Sequence, residues 1–121
     1  MSDENKFIFE TNDPRGYRIV LSSEQYYDHI ISSVNHSPHD EFTPDEIKEC
    51  VENPSVIYQS ESVLSRDLYY GKTSAAYPHL FLQTVVEIDT QEKAGEVVTA
   101  HLTKDLSGGK DLRYVNYKSK L

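Results

Sequence analysis

Short runs of apolar residues alternating with polar ones, separated by turn-forming residues, make up most of the chain. Near its start, the runs Phe7–Glu10 and Tyr17–Leu21 flank a segment containing Asn, Asp, Pro and Gly, which predicts a hairpin. Later runs predict four strands, at Val56–Ser60, Asp67–Tyr70, Leu80–Ile88 and Glu96–Leu102. The Leu80–Ile88 run is apolar on both faces, so we expect it to be the central strand.

Two segments between the hairpin and these strands have the pattern of helices. From Tyr27 onward, apolar residues recur at i, i+3, i+4 and i+7, which predicts a helix that begins at Ser22 or Ser23 and ends near Asn35. Further along, the run Thr43-Pro44-Asp45-Glu46 provides an N-cap, a proline at the first helical position and an acid three residues after the cap. This second helix should end at Asn53-Pro54, because the residue before a proline disfavours helix.

The order of hairpin, two helices and a run of strands predicts an α+β fold. We expect the hairpin and both helices to pack on one side of an antiparallel sheet of about four strands. With 121 residues, the chain is long enough for one domain, 1–121, and too short to expect two. Residues 104–121 form a basic tail in which Tyr114–Tyr117 is either a last short strand or part of a disordered end.

Charge is distributed unevenly along the sequence. The whole chain has a formal net charge of −8, but residues 104–121 contain five basic and two acidic side chains, which gives +3 and leaves −11 for the rest. An acidic body repels polyanions at long range. Any contact with a nucleic acid would therefore have to be short and local, or be assisted by the tail.

The cysteine content and hydropathy bear on the compartment. A single cysteine, Cys50, makes an internal disulfide impossible and suits a reducing compartment. No segment has the length and apolarity that a bilayer requires, and the first residues lack the pattern of a signal peptide. We therefore expect a cytoplasmic protein without membrane contact.

Histidines are the first candidates for chemistry. His29 lies in the first predicted helix and His36, seven residues on, directly follows its end, so two α-helical turns would place both on the flank of its apolar stripe. Imidazole titrates near neutral pH, which suits a proton donor or acceptor. On the last predicted strand, Thr99 and His101 point to the same face because side chains alternate along a strand.

Five segments, taken in order, resemble one nuclease superfamily. RGYRIVLSSEQYYDHIISSVNHSP, IKECVENPSVIY, RDLYYGK, LFLQTVVEI and GEVVTAHL are similar to the phage-associated branch of the barnase, EndoU, colicin and RelE-like (BECR) nucleases. The matching positions are Gly16, His29-Ile30, His36, Asn53-Pro54 with Ile57, Tyr69-Tyr70 with Lys72, and the run Val97-Val98-Thr99-Ala100. Two positions depart from the family pattern: His36-Ser37-Pro38 replaces H-P-E, and Tyr26-Tyr27 replaces a tryptophan before H-I.

The resemblance implies metal-independent RNA cleavage without a cofactor, in which the ribose 2′-OH attacks the adjacent phosphate. Such chemistry needs a base, an acid and donors for the charge that develops on the phosphate. The implied catalytic residues are His29, His36 and Thr99, and the implied substrate-binding residues are Arg66, Tyr70, Lys72 and His101. Arg66 or Lys72 would clamp phosphate, and Tyr70 would stack on a base. The implied partners are RNA, with tRNA as one candidate, and an antitoxin or immunity protein.

Two other functions compete with this one. A loop holds His36, His39, Asp40 and Glu41, and His-x-x-His can bind zinc, although no second His or Cys pair follows at a suitable spacing. The second alternative is a catalytically inactive interaction or inhibitor module on the same fold that binds a basic protein. The acidic body and the altered H-P-E element favour this second alternative.

Overall fold

A computed structural model of the chain describes residues 7–30, 43–72, 80–104, 106 and 109–116. Its strands form one sheet, in the order β1-β2-β6-β5-β4-β3-β7. The elements are β1 (Phe7–Asn12), β2 (Arg18–Ser22), a π-helix (Gln25–Ile30), α1 (Pro44–Glu52), β3 (Val56–Ser60), β4 (Arg66–Lys72), β5 (Phe81–Asp89), β6 (Ala94–Thr103) and β7 (Gly109–Val115).

The predicted four-stranded antiparallel sheet with the hairpin and two helices on one side is wrong. The sheet has seven strands and is mixed, because β2 of the hairpin pairs in parallel with β6, Ile19 opposite Gly95, while the other pairs are antiparallel. The hairpin is thus part of the sheet. Hydrophobic alternation identifies each strand but not its neighbours, and the partners β2 and β6 are about seventy residues apart, so tertiary packing alone selects their pairing.

The position of β5 in the middle of the sheet confirms the expectation for this strand. Three strands lie on each side of it, and its residues from Leu82 to Val86 are buried. The side covered by α1 contains the larger core, which includes Ile19, Ile47, Val51, Ile57, Tyr69, Val86 and Val97. The opposite side, here called the distal face, has a smaller cluster made by Val56, Leu68, Tyr70 and Val85.

Helix α1 follows its sequence signals closely, and the prediction for it is confirmed. The Thr43 hydroxyl accepts a hydrogen bond from the Glu46 amide at 3.2 Å, and the Glu46 carboxylate accepts one from the Thr43 amide at 2.8 Å. This capping box satisfies two backbone donors, and Asn53 ends the helix. Within the described part of the chain, no helix is long and apolar enough to cross a membrane.

Close packing of α1 on β4 depends on Gly71. A Cβ atom at Gly71 would lie 3.1 to 3.3 Å from Cys50 of the helix, so only glycine allows this approach without displacement. Burial raises the pKa of the Cys50 thiol to about 12. The Cys50 thiol is therefore neutral at physiological pH, and it donates to the carbonyl oxygens of Tyr69 and Leu82 at 3.4 and 3.5 Å.

The first part of the basic tail forms the edge strand β7. Against β3 it has two register shifts, and its charged residues Lys110, Asp111 and Arg113 are exposed. Bulges and charges are the devices by which edge strands avoid pairing with other chains. The structure thus has a strand at Gly109–Val115, whereas Tyr117 lies outside the described residues.

Candidate functional site

Five of the seven predicted site residues lie on the distal face. Across the sheet, Tyr70 of β4 is opposite Gln83 of β5, which is opposite His101 of β6. Residues directly opposite one another point to the same side, and so do residues two apart on a strand. The distal face therefore carries Arg66, Tyr70, Lys72, Thr99 and His101.

Strand geometry separates the two basic residues of this face. Arg66 and Lys72 are six residues apart on β4, about 20 Å, so they cannot hold the same phosphate. Lys72 of β4 is opposite Phe81 of β5, which is opposite Thr103 of β6. Lys72 is exposed and lies at the same end of the sheet as His101, which is two residues from Thr103. Thr99 and His101, both partly exposed, are about 7 Å apart along β6. We call this region, made by Lys72, Thr99 and His101, the His101 end.

Arg66 lies at the other end and is occupied by an ion pair. Its Nε donates to the Glu87 carboxylate at 2.8 Å, and the Ser65 hydroxyl donates to the same carboxylate at 2.5 Å. These hydrogen bonds, first that of Ser65 and then that of Arg66, lower the pKa of Glu87. The charge of Arg66 is therefore balanced in this structure.

Tyr70 is fully buried, so its ring is not presented to a base in this structure. Its hydroxyl accepts a hydrogen bond from the Gln83 amide at 2.7 Å, and its ring meets that of Tyr58 edge to face at 6.2 Å. Gln83 is the β5 residue opposite His101. Tyr70 therefore supports the distal face from inside, through Gln83.

The helix that carries His29 lies alongside β6. Ser22 caps it by accepting the Gln25 amide at 3.0 Å, and the Gln25 side chain donates to the backbone carbonyl of Val98, next to Thr99. The side chain of His29 lies outside the described part, as does the whole of His36. The expected alignment of His29 with His36 assumed α-helical turns. The structure instead has a π-helix up to Ile30, in which hydrogen bonds join residues i and i+5, so that assumption does not hold for this helix.

A polar cluster that sequence reasoning missed lies on the α1 side of the sheet. The Asp13 carboxylate is buried and accepts five hydrogen bonds: from the Arg15 amide (2.9 Å), the Tyr17 amide (2.9 Å), Nε and Nη2 of Arg15 (3.1 and 3.0 Å) and the Tyr69 hydroxyl (2.6 Å). Arg15 also donates to the Tyr69 hydroxyl at 2.9 Å and pairs with Asp67 at 3.0 Å. This Asp13 cluster fixes the hairpin turn to β4.

The electrostatics of the Asp13 cluster determine the protonation states of Arg15 and Tyr69. Burial alone would lower the pKa of Arg15, but Tyr69, Asp13 and Asp67 outweigh it and raise that pKa. Burial, then the hydrogen bond to Asp13, raises the pKa of the Tyr69 phenol. Arg15 is therefore charged and Tyr69 neutral throughout the physiological range.

The sequence holds only a weak signal for this cluster. Asp13-Pro14-Arg15-Gly16 has the composition of a turn, and an Asp that binds the amide two residues on is typical of turns. Nothing in the sequence connects that turn with Asp67 or Tyr69, more than fifty residues away.

In residues 7–30, 43–72, 80–104, 106 and 109–116, no three His, Cys, Asp or Glu side chains are grouped so that they could hold a metal ion. The loop residues of the zinc alternative, His36, His39, Asp40 and Glu41, lie outside these ranges.

Comparison with protein-family models, with curated proteins and with solved structures gave no significant match. The resemblance to BECR nucleases therefore depends on the sequence motifs alone.

Proposed function

We propose that the protein is a metal-independent endoribonuclease whose active site is formed at the His101 end of the distal face. The observation that carries the proposal is the meeting of two elements there. The strand with Thr99 and His101 lies beside the helix that carries His29, and the Gln25 side chain joins the two at Val98. Gln25 and Val98 are 73 residues apart in sequence, yet the helix and β6 are in contact in the fold, which supports the proposal.

The proposed reaction is an internal transesterification of RNA. A base takes the proton of the ribose 2′-OH, the 2′-oxygen bonds to the adjacent phosphorus, and the bond from phosphorus to the 5′-oxygen breaks. An acid then protonates the 5′-oxygen, so a 2′,3′-cyclic phosphate and a free 5′-hydroxyl result. His29 and His36 have the acid and base roles, as in the resemblance.

The described residues of the His101 end support the phosphate in this proposal. The Thr99 hydroxyl donates to a phosphoryl oxygen. The exposed ammonium of Lys72, which is closer in register to His101 than to Thr99, balances the charge of a neighbouring phosphate. His101 shares the face of Thr99, and donates a further hydrogen bond. Arg66 and Tyr70 have no direct contact with the substrate in this scheme, because one is paired with Glu87 and the other is buried.

The test is cleavage of pooled tRNA and of random-sequence RNA by the purified protein in excess EDTA. We expect cleavage by the wild type, a loss of about 10²- to 10⁴-fold in His29→Ala, and a smaller loss in Thr99→Val. Arg18→Gln is the matched control, because Arg18 is an exposed residue paired with Glu10 at 2.8 Å, outside the His101 end. Equal activity of His29→Ala and Arg18→Gln would refute the assignment.

A second candidate is an inactive interaction module that binds a basic protein such as a toxin. The observation that favours it is a broad concavity of about 730 Å³ at the β5–β6 turn, lined by acidic residues that include Asp89, Glu92 and Glu96. The test is binding of a basic peptide to the protein. If RNA is not cleaved, and the peptide binds with an affinity that decreases at higher salt and in the Glu92→Gln variant, the interaction module replaces the nuclease as the proposed function.

A further inference from the structure

A cavity beside the Asp13 cluster has no part in the proposed RNA cleavage. It lies between the hairpin turn, the turn that joins β3 to β4, and the edge strand β7, and it measures about 360 Å³. Ligand pockets of proteins begin at roughly 300 Å³, so a small organic molecule fits. Its walls include two arginines, Arg15 of the hairpin turn and Arg113 of the basic tail.

Arg15, at the back of the cavity, has a hydrogen-bond donor to spare. A guanidinium group has five N–H hydrogens. Asp13 and Tyr69 accept three of them, from Nε and Nη2, and Asp67 pairs with Nη1 at 3.0 Å. Since Nη1 has two hydrogens, at least one N–H remains for a ligand.

The Arg113 guanidinium group is less engaged in hydrogen bonds than that of Arg15. Of the four arginines in the described ranges, Arg15, Arg18 and Arg66 each donate a hydrogen bond of 3.1 Å or less within those ranges. Arg113 makes only an ion pair there, with its Nε 3.9 Å from Asp67, and its side chain is 41% exposed. A distance of 3.9 Å is too long for a hydrogen bond, so within the described ranges no hydrogen bond holds the Arg113 guanidinium group.

The arginines of the cavity offer hydrogen-bond donors to an anion. Asp67 is the one acidic residue that lines the cavity, and Asp13 pairs with Arg15 at 3.0 Å, so these two carboxylates balance the charges of Arg15 and Arg113. An incoming oxyanion would therefore be held by guanidinium N–H groups that have no hydrogen-bond acceptor in the described residues. Guanidinium groups bind phosphate and carboxylate through paired, charge-assisted hydrogen bonds.

The rest of the wall suits an apolar or aromatic group attached to that anion. The ring of Tyr17 lies 4.6 Å from the guanidinium carbon of Arg15, and Ile88 is partly buried beside it. Leu64, at the mouth, is 57% exposed, more than any other large apolar side chain in the described ranges except Tyr27, which equals it. A ligand that covered Leu64 would bury apolar surface now in contact with water.

We propose that this cavity binds a small organic oxyanion, a phosphate monoester or a carboxylate, whose aromatic or aliphatic body packs on Leu64 and Tyr17. Arg113 and the remaining N–H of Arg15 hold the oxyanion. The site is independent of the RNA-cleaving function, and the two are tested separately.

The experiment is calorimetric titration of the full chain with phenyl phosphate, benzoate and inorganic phosphate. We expect saturable binding of phenyl phosphate, benzoate or both, at least tenfold weaker binding in Arg113→Gln, and unchanged binding in the matched control Arg18→Gln. In Leu64→Ala, we expect weaker binding of the aromatic anions and unchanged binding of inorganic phosphate. The two aromatic ligands distinguish a phosphate site from a carboxylate site.

Three results would overturn the proposal: no saturable binding of either aromatic anion at millimolar concentration, equal weakening in Arg113→Gln and Arg18→Gln, or equal binding of all anions in Leu64→Ala and wild type. Arg113 and Leu64 are exposed residues, so these variants should fold. Circular dichroism of each variant checks this before titration.

Discussion

Asp13 is the common acceptor that joins the hairpin turn to β4, and its replacement by asparagine tests how much that junction stabilises the fold. Asparagine has nearly the same shape and keeps one carbonyl oxygen for the amides of Arg15 and Tyr17. Its NH₂ group would instead face Arg15 and the Tyr69 hydroxyl, where Oδ2 now accepts three hydrogen bonds. Two donors would then point at each other in a buried site.

The expected cost follows from what remains unpaired. Removing one partner of a buried ion pair typically costs about 3 to 5 kcal/mol, because the other charge stays buried. Arg15 is partly exposed and keeps Asp67 at 3.0 Å, which reduces the loss. We therefore expect Asp13→Asn to lower the free energy of unfolding by about 3 kcal/mol, a large part of the roughly 5 to 15 kcal/mol available to a typical domain.

Urea unfolding at pH 7, followed by circular dichroism since the chain has no tryptophan, measures this cost. With a slope of about 2 kcal/mol per molar urea, the midpoint should fall by about 1.5 M. The matched control is Glu10→Gln, which breaks the exposed pair of Glu10 and Arg18 and should cost less than about 1 kcal/mol. If Asp13→Asn costs no more than this control, the Asp13 cluster is not a major stabilising contact.

Three further predictions concern the core and α1. The raised pKa of Tyr69 means that its contribution to stability is full below pH ~10 and declines at higher pH, as the unfolded phenol ionises and the native one does not. The stability difference between wild type and Tyr69→Phe should therefore shrink above pH ~10 in urea titrations, and a constant difference would contradict this. Gly71→Ala should lower the free energy of unfolding by about 1 to 3 kcal/mol, because the added methyl group would press on Cys50. In the double variant, Cys50→Ala should relieve part of that cost. If the effects of the two substitutions are strictly additive, the contact is disproved. Thr43→Ala should cost about 1 kcal/mol through loss of the capping box with Glu46, and an unchanged midpoint would show that the cap does not matter.

Local signals account for the elements that the sequence predicts correctly. Thr43, Pro44 and Asn53 each act through bonds within a few residues, and the bounds of α1 follow from them. Likewise, the strand at Val56–Ser60 was predicted with its observed bounds. The parallel pairing of β2 with β6 has no such signal, because it is decided by which faces pack together after the chain has folded.

In the candidate site, too, local patterns predict some features, whereas others depend on the folded structure. Alternation along one strand was enough to predict that Thr99 and His101 share a face. The occupation of Arg66 by Glu87 and the burial of Tyr70 depend on the register of β4 against β5, which no local pattern specifies. The Asp13 cluster was missed because its members come from a turn and from β4, and they meet only in the folded chain.

The central claim, that the His101 end supports cleavage of RNA through the ribose 2′-OH, is tested most directly by a DNA oligonucleotide pool of random sequence with one ribonucleotide at a fixed position. The protein is incubated with this pool in EDTA, beside an all-deoxy pool and an all-RNA pool, and the product ends are identified by mass spectrometry. Attack by the ribose 2′-OH predicts cleavage of the mixed pool only after the ribonucleotide, leaving a 2′,3′-cyclic phosphate, and none of the all-deoxy pool. Cleavage of the all-deoxy pool, or no cleavage of any pool by the folded protein, would contradict it.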